Sequence, residues 1–170
     1  KLQSIGVGNA PLAAVNLLQE HYSKQTFSFL LSVEIGANTL IAMISAMDMN
    51  KKMVNCDGCG RAVPTLSNLT YSNTHGVGIN PFTLANHLPN INTPTATVSL
   101  GTPNISSASS MVRSIISSPQ FAGGIAGLAS WTMTGQLLNT AGTAVNQSIQ
   151  LAINVGGLIN YFRGIGDPGI

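Results

Sequence analysis

The chain has 170 residues, of which 7% are charged and 44% are hydrophobic, and its formal net charge is +2. Disordered chains combine high charge with low hydrophobicity, so this composition excludes disorder throughout. The basic residues form no cluster beyond Lys51 and Lys52, which excludes the electrostatic surface typical of nucleic-acid binding.

The first fifty residues predict a helix followed by a β-hairpin. Apolar side chains recur at helical spacing over residues 9–22. Apolar and polar residues then alternate over residues 27–35, which predicts a half-buried strand. Gly36 starts a segment of turn-forming residues, and the apolar residues beyond it also fit alternation. We therefore expect a β-hairpin over residues 26–49.

The segment from about 51 to 104 is dense in Asn, Thr, Pro and Gly and predicts a long irregular loop or arm. Within it, only residues 95–100 alternate as a short strand does. We expect residues 1–170 to form a single domain that carries this loop region.

The second half of the chain predicts a helix and then an ambiguous glycine-rich segment. Apolar residues at helical spacing indicate a helix at about 105–118, with Asn104 as a candidate N-cap. The residues from 120 onward fit either a helix or a hairpin that turns at Gly156 and Gly157. The whole pattern predicts an α+β fold, with a mainly α fold as the alternative.

Cys56 and Cys59 are the only cysteines and form a Cys-x-x-Cys motif. A zinc site needs four ligands, and only His75 and His87 could complete it, at spacings that match no zinc finger. A redox pair needs a helix N-terminus after the first cysteine, which the following residues do not predict. We therefore expect a local disulfide between Cys56 and Cys59, and no metal.

No catalytic or cofactor-binding residue is predicted. A Ser-His-Asp set could be drawn from His21, His75 or His87 with Asp48, Asp57 or Asp167, but no G-x-S-x-G motif singles out a serine. The glycine-rich segments lack the pattern that binds phosphate. We therefore expect a protein that is not an enzyme and has no cofactor.

The near absence of charge is the feature that points to a function. Arg113 is the only charged residue from 62 to 162, and such a surface suits repeated subunit contacts, where desolvating charge would be costly. We expect a non-enzymatic structural subunit that self-assembles into a filament, coat or extracellular matrix, located outside the cell or on a particle. A secreted membrane-active or lipid-binding protein is the alternative. The sequence also contains three candidate N-glycosylation sites, at Asn68, Asn104 and Asn146.

Overall fold

The computed structural model describes residues 8–22, 26–87, 96–121 and 125–166. These residues form helices and two small sheets, so the predicted α+β class is confirmed. The helices are α1 (Ala10–Glu20), α2 (Ala37–Asp48), α3 (Thr70–Asn73), α4 (Ile105–Ile116), α5 (Gly135–Leu138) and α6 (Ser148–Gly164). The strands are β1 (Phe29–Ser32), β2 (Lys52–Asp57), β3 (Phe82–His87), β4 (Ala96–Leu100), β5 (Ile125–Ala129) and β6 (Val145–Asn146).

The first sheet has the strand order β1–β2–β6. β1 and β2 are parallel, and α2 connects them and packs on both strands. A parallel pair needs such a crossover, because its strands run in the same direction. β6 adds two residues antiparallel to the end of β2, where Cys56 is opposite Asn146 and Asp57 is opposite Val145.

The second sheet is antiparallel, with the order β4–β3–β5. Successive side chains of β3 point to opposite faces of the sheet and therefore pack in two different core clusters. Phe82 and Leu84 are buried in the larger core cluster, which also contains Ala108 of α4. Ala85 is buried on the other face in a smaller cluster with Leu18 of α1.

Close packing of α1 against the second sheet depends on a small residue in β5. An added Cβ at Gly127 would lie 2.4 Å from the carbonyl oxygen of Ala10, so only glycine allows the helix this close. The Thr83 hydroxyl donates a hydrogen bond of 2.7 Å to the carbonyl oxygen of Ala14. Helix and sheet are therefore in contact through both packing and a buried hydrogen bond.

The predicted β-hairpin over residues 26–49 is wrong. Its first arm is β1, but residues 37–48 form α2. Nearly every residue from Leu40 to Met47 is apolar, so the segment satisfies helical and alternating spacing alike, and it contains no glycine or proline. The Thr39 hydroxyl accepts a 3.2 Å hydrogen bond from the Gly36 N–H and favours the start of a helix.

The segment predicted as an irregular loop, 51–104, contains two strands that were not predicted, β2 and β3. The described prolines of this segment lie outside its strands: Pro64 follows β2, Pro81 directly precedes β3, and Pro103 follows β4. The predicted strand at 95–100 is confirmed as β4, and the helices predicted at 9–22 and 105–118 are confirmed as α1 and α4.

The glycine-rich segment adopts the helical alternative over residues 148–164, where Gly156 and Gly157 lie inside α6 rather than in a hairpin turn. No described helix is both long and apolar enough to cross a membrane. The single domain stays a prediction.

Candidate functional site

A cavity of about 770 Å³ separates the two sheets. Its walls are α1, β1 with the residues before it, α2, β5 and the segment 130–135. This volume lies within the range of about 300–1,000 Å³ that small-molecule sites occupy. The cavity is therefore large enough for a small organic ligand.

The lining of this cavity is apolar and aromatic. Among the described residues that form it, none is Asp, Glu, Lys, Arg or His. Several polar side chains in the wall already donate hydrogen bonds to protein atoms: Ser45 to the Ile41 carbonyl at 2.8 Å, and Asn38 to the Glu34 carboxylate at 2.6 Å. Burying an unpaired charge is costly, so this cavity disfavours charged ligands.

Trp131 is the most unusual residue of the lining. Its φ is +51°, a left-handed conformation that is a genuine outlier for a bulky side chain and costs of order 1–3 kcal/mol. Its side chain is 3% exposed, and its indole N–H has no acceptor among the described residues. The ring lies 6.3 Å from the ring of Tyr71. Strained and unsatisfied groups of this kind concentrate at functional sites.

Tyr71 joins the cavity to the cysteine motif. Its hydroxyl donates a 3.0 Å hydrogen bond to the Ser32 carbonyl oxygen, and the side chain is 1% exposed. Burial, followed by the effect of neighbouring Cys56, raises the pKa of Tyr71 above its ordinary value. Burial also raises the pKa of Cys56, although its hydrogen bond with Tyr71 acts in the opposite direction. Cys56 is therefore a protonated thiol at neutral pH, which disfavours nucleophilic or redox catalysis.

The Cys-x-x-Cys motif forms a turn that Asp57 organises. The Oδ1 atom of Asp57 accepts hydrogen bonds from the N–H groups of Cys59, at 2.7 Å, and Gly60, at 2.5 Å. Its Oδ2 is buried and has no partner among the described residues. Gly58 lies against the Tyr71 ring, where an added Cβ would be 2.8 Å from the ring. The motif therefore shapes the loop beside the cavity.

Both cysteines of this turn are free thiols in the structure, Cys56 buried and Cys59 half-buried. The disulfide between them stays a prediction. Within the described residues, no three His, Cys, Asp or Glu side chains are grouped closely enough to hold a metal ion.

Of the predicted candidates for a Ser-His-Asp set, the structure brings one histidine to a serine. The His21 Nε2 and Ser99 Oγ atoms form a hydrogen bond beside a shallow groove. No described residue that lines this groove is a carboxylate. Asp48 and His75 are exposed, whereas Asp57 is buried in its turn. The side chain of His87, and Asp167, lie outside the described residues.

The three glycosylation candidates are all exposed. Asn68 ends a 3₁₀ turn, and Asn146 lies in β6. Asn104 caps α4, where its Oδ1 accepts hydrogen bonds from the N–H groups of Ser106 and Ser107. Glycosylation at these positions stays a prediction.

Sequence reasoning missed the cavity and Trp131. The cavity forms only where α1, β1 and β5 converge, and these are far apart in the chain. The only signal in the sequence is that the sole tryptophan follows a glycine-rich segment.

A family model described as S-Me-THD-like, N-terminal domain matches residues 2–95. The match spans more than half of the chain, so the chain belongs to the S-Me-THD-like family. This family is enzyme-related, so the prediction that the protein is not an enzyme is wrong.

A Chromobacterium violaceum protein, solved by X-ray crystallography as a structural genomics target, is similar in structure. The two chains are 26% identical with a TM-score of 0.74. The comparison covers 93% of this chain and 42% of the Chromobacterium chain, so this chain spans less than half the length of that relative. No curated protein matches the chain.

Proposed function

We propose that the chain is the N-terminal part of an enzyme and that it binds a small, uncharged organic molecule in the cavity between the sheets. The observation that carries this proposal is an uncharged cavity of about 770 Å³ with the strained, unsatisfied Trp131 in its wall. Membership of an enzyme-related family supports it.

The lining defines the class of ligand. Phe27, Tyr71 and Trp131 contribute aromatic rings to the wall, while hydroxyl groups such as Ser130 already bond to protein, here to the Ile79 carbonyl at 2.5 Å. Recognition therefore depends mainly on apolar contact, and the ligand is a neutral molecule with an apolar or aromatic ring.

The expected affinity for a fragment of this kind is modest. Burying about 300 Å² of apolar ligand surface contributes about 7.5 kcal/mol at about 25 cal/mol/Å². Association costs at least about 4 kcal/mol, which leaves at most about 3.5 kcal/mol, so the tightest binding expected of such a fragment has a Kd in the millimolar range. A larger ligand that fills the cavity would bind more tightly.

Intrinsic fluorescence tests the proposal, because Trp131 is the only tryptophan in the chain. Titration with neutral benzamide should change the emission with a millimolar Kd, whereas anionic benzoate of similar shape should not. No change with benzamide up to about ten times this Kd, or an equal response to benzoate, would refute the proposed ligand class.

Two alanine substitutions on the same helix supply the control. Ala42→Phe adds a ring inside the cavity wall and should weaken benzamide binding at least about tenfold, since the added side chain fills the ligand's space. Ala37→Phe makes the same change at an exposed position outside the cavity and should leave binding unchanged.

Self-assembly into a filament, coat or matrix stays a prediction. The part of that prediction that made the protein non-enzymatic is dropped, because the family is enzyme-related. Its support is still the scarcity of charge between residues 62 and 162. Light scattering over a range of concentrations tests it, and a particle that remains monomeric at the highest concentration would contradict it.

A further inference from the structure

His21 and Ser99 bring a base and a nucleophile together from distant parts of the chain. The Nε2 atom of His21 and the Oγ atom of Ser99 form a hydrogen bond, although the two residues are 78 positions apart. A serine hydroxyl is activated for attack when a base that can accept its proton lies within hydrogen-bond reach. This pair therefore meets the first geometric requirement of nucleophilic catalysis.

The register of the second sheet explains why Ser99 reaches His21. Ser99 of β4 is directly opposite Thr83 of β3, so the two side chains lie on the same face of the sheet. On that face the Thr83 hydroxyl donates its hydrogen bond to the Ala14 carbonyl oxygen of α1. His21 follows Ala14 by about two helical turns and lies at the end of α1. The packing of α1 on the sheet therefore holds the base beside the nucleophile.

The place of His21 at the end of a helix suits a base. His21 is the C-cap residue of the 11-residue helix α1. The C-terminal end of a helix stabilises positive charge, and an imidazole becomes positively charged when it accepts a proton. No described residue of the adjoining groove is a carboxylate. The helix end therefore supplies part of the stabilisation that an Asp supplies in a Ser-His-Asp set.

The groove of about 420 Å³ beside this pair gives a substrate access to it. His21 and Ser99 are both exposed. Among the described residues that line the groove, none is Asp, Glu, Lys or Arg, and Tyr22, Pro81 and Leu100 contribute apolar surface. The groove therefore suits a neutral substrate with small apolar groups.

Asn80 adds a hydrogen-bond donor to the same groove. It is exposed, and it lines the groove together with Ser99. An added Cβ at Gly101 would lie 2.7 Å from the Asn80 Oδ1 atom, so the glycine lets the carboxamide lie against the chain two residues after Ser99. Side-chain amides stabilise the negative oxygen that forms when a nucleophile adds to a carbonyl group. The groove thus combines a nucleophile, a base and a donor for an oxyanion.

We propose that Ser99, His21 and Asn80 form a site that hydrolyses small, neutral carboxylic esters. The Ser99 Oγ atom attacks the carbonyl carbon, and its proton passes to His21 Nε2. The Asn80 carboxamide donates to the carbonyl oxygen as that oxygen becomes negative. The bond from the carbonyl carbon to the alcohol oxygen then breaks, and His21 returns the proton to the departing alcohol.

Water completes the reaction. His21 accepts a proton from a water molecule, which attacks the carbonyl carbon of the acylated Ser99. The bond from that carbon to Oγ then breaks, and the proton on His21 returns to Oγ. The products are one alcohol and one carboxylic acid, and the site is restored without a metal or another co-reactant.

Covalent labelling of the 170-residue chain tests whether Ser99 is activated. A small alkyl fluorophosphonate reacts with an activated serine, since the oxygen bonds to phosphorus, fluoride leaves and the neighbouring base takes the proton. Peptide mass spectrometry should find the adduct on Ser99. No adduct on any serine, or equal labelling of several exposed serines, would overturn the proposal.

Two variants and a matched control test the roles of the residues. Ser99→Ala should lower the rate of p-nitrophenyl acetate hydrolysis at least about tenfold, and His21→Gln should slow labelling of Ser99 at least about a hundredfold, because glutamine cannot take the proton. Thr97→Ala is the control, since Thr97 is exposed and lies on the same strand and face as Ser99. It should leave both rates unchanged. Equal rates in the unsubstituted chain and in either active-site variant would overturn the proposal.

Two further measurements keep the test decisive. Circular dichroism and benzamide titration of each variant should match the unsubstituted chain, because His21 and Ser99 are exposed and neither lines the cavity. Benzamide binding and ester hydrolysis are separate readouts, so the proposed cavity ligand and the proposed esterase site can fail independently. If His21→Gln does not fold, Asn80→Ala replaces it and should slow hydrolysis at least about tenfold. An unchanged rate in that variant would overturn the proposed site.

Discussion

Gly127→Ala should destabilise the protein, because it forces α1 away from the second sheet. The added Cβ would lie 2.4 Å from the Ala10 carbonyl oxygen and 2.6 Å from the Pro11 nitrogen, and both are backbone atoms that cannot rotate away. A normal carbon–oxygen contact is about 3.3–3.6 Å, so the helix must move by about 1 Å. Overpacking of this kind costs about 1–3 kcal/mol.

Thermal unfolding followed by circular dichroism measures this cost. For a chain of this length each kcal/mol lowers Tm by about 2–4 °C, so the expected decrease is about 2–12 °C. The affinity for benzamide should fall as well, because Val15 and Leu18 of α1 line the cavity.

Gly156→Ala is the matched control for this substitution. Gly156 lies inside α6 and an added Cβ meets nothing within 4 Å, so alanine should stabilise the helix by up to about 1 kcal/mol. If Gly127→Ala were as stable as the unsubstituted protein to within about 0.5 kcal/mol, the close packing of α1 on β5 would be refuted.

Four further predictions concern the turn beside the cavity. Asp57→Ala removes the acceptor of two backbone N–H groups and should lower the free energy of unfolding by about 2–4 kcal/mol in urea titration. Asp57→Asn keeps one side-chain oxygen and should lower the free energy of unfolding by less. Equal losses in the two variants would contradict the proposed role of Asp57 as acceptor. Because burial raises the pKa of the Cys56 thiol above its ordinary value of 9.0, the contribution of Cys56 to stability is present below pH 9.0 and is lost as the pH rises through the folded pKa. Cys56→Ala should reduce the loss of stability at alkaline pH, and an unchanged pH profile of stability would contradict this prediction. In the native protein, iodoacetamide should label Cys59 before the buried Cys56, and peptide mass spectrometry would show the order of labelling. Tyr71→Phe removes the hydrogen bond to Ser32 and should cost about 1 kcal/mol with little change in fold, so a loss above about 3 kcal/mol in the same titration would imply a further role.

Sequence patterns correctly predicted the helices and the strand whose formation depends mainly on neighbouring residues. α4 follows its apolar spacing and begins where Asn104 caps it, and α1 and β4 occupy nearly their predicted ranges. The segment from Leu40 to Met47 was misassigned because nearly all its residues are apolar and fit both helical and alternating spacing. The choice between the two depends on the parallel pairing of β1 with β2. That pairing is a tertiary property.

The candidate site could not be predicted for a related reason. The cavity requires α1 and β5 to approach each other over more than a hundred residues, and the positive φ of Trp131 has no signature in residue type. The cysteine motif was visible in the sequence, but the buried Asp57 that organises its turn was not, because only the structure shows which backbone N–H groups its carboxylate accepts.

The order of strands in the two sheets also sets when the protein can fold. β3 is central in its sheet and needs β5 as a neighbour, and β2 is central in the other and needs β6. Both partners lie beyond residue 95, where the family match ends. During synthesis β2 and β3 therefore leave the ribosome before these neighbours, so the second sheet cannot be complete until β5 has emerged, and the first sheet cannot be complete until β6 has emerged.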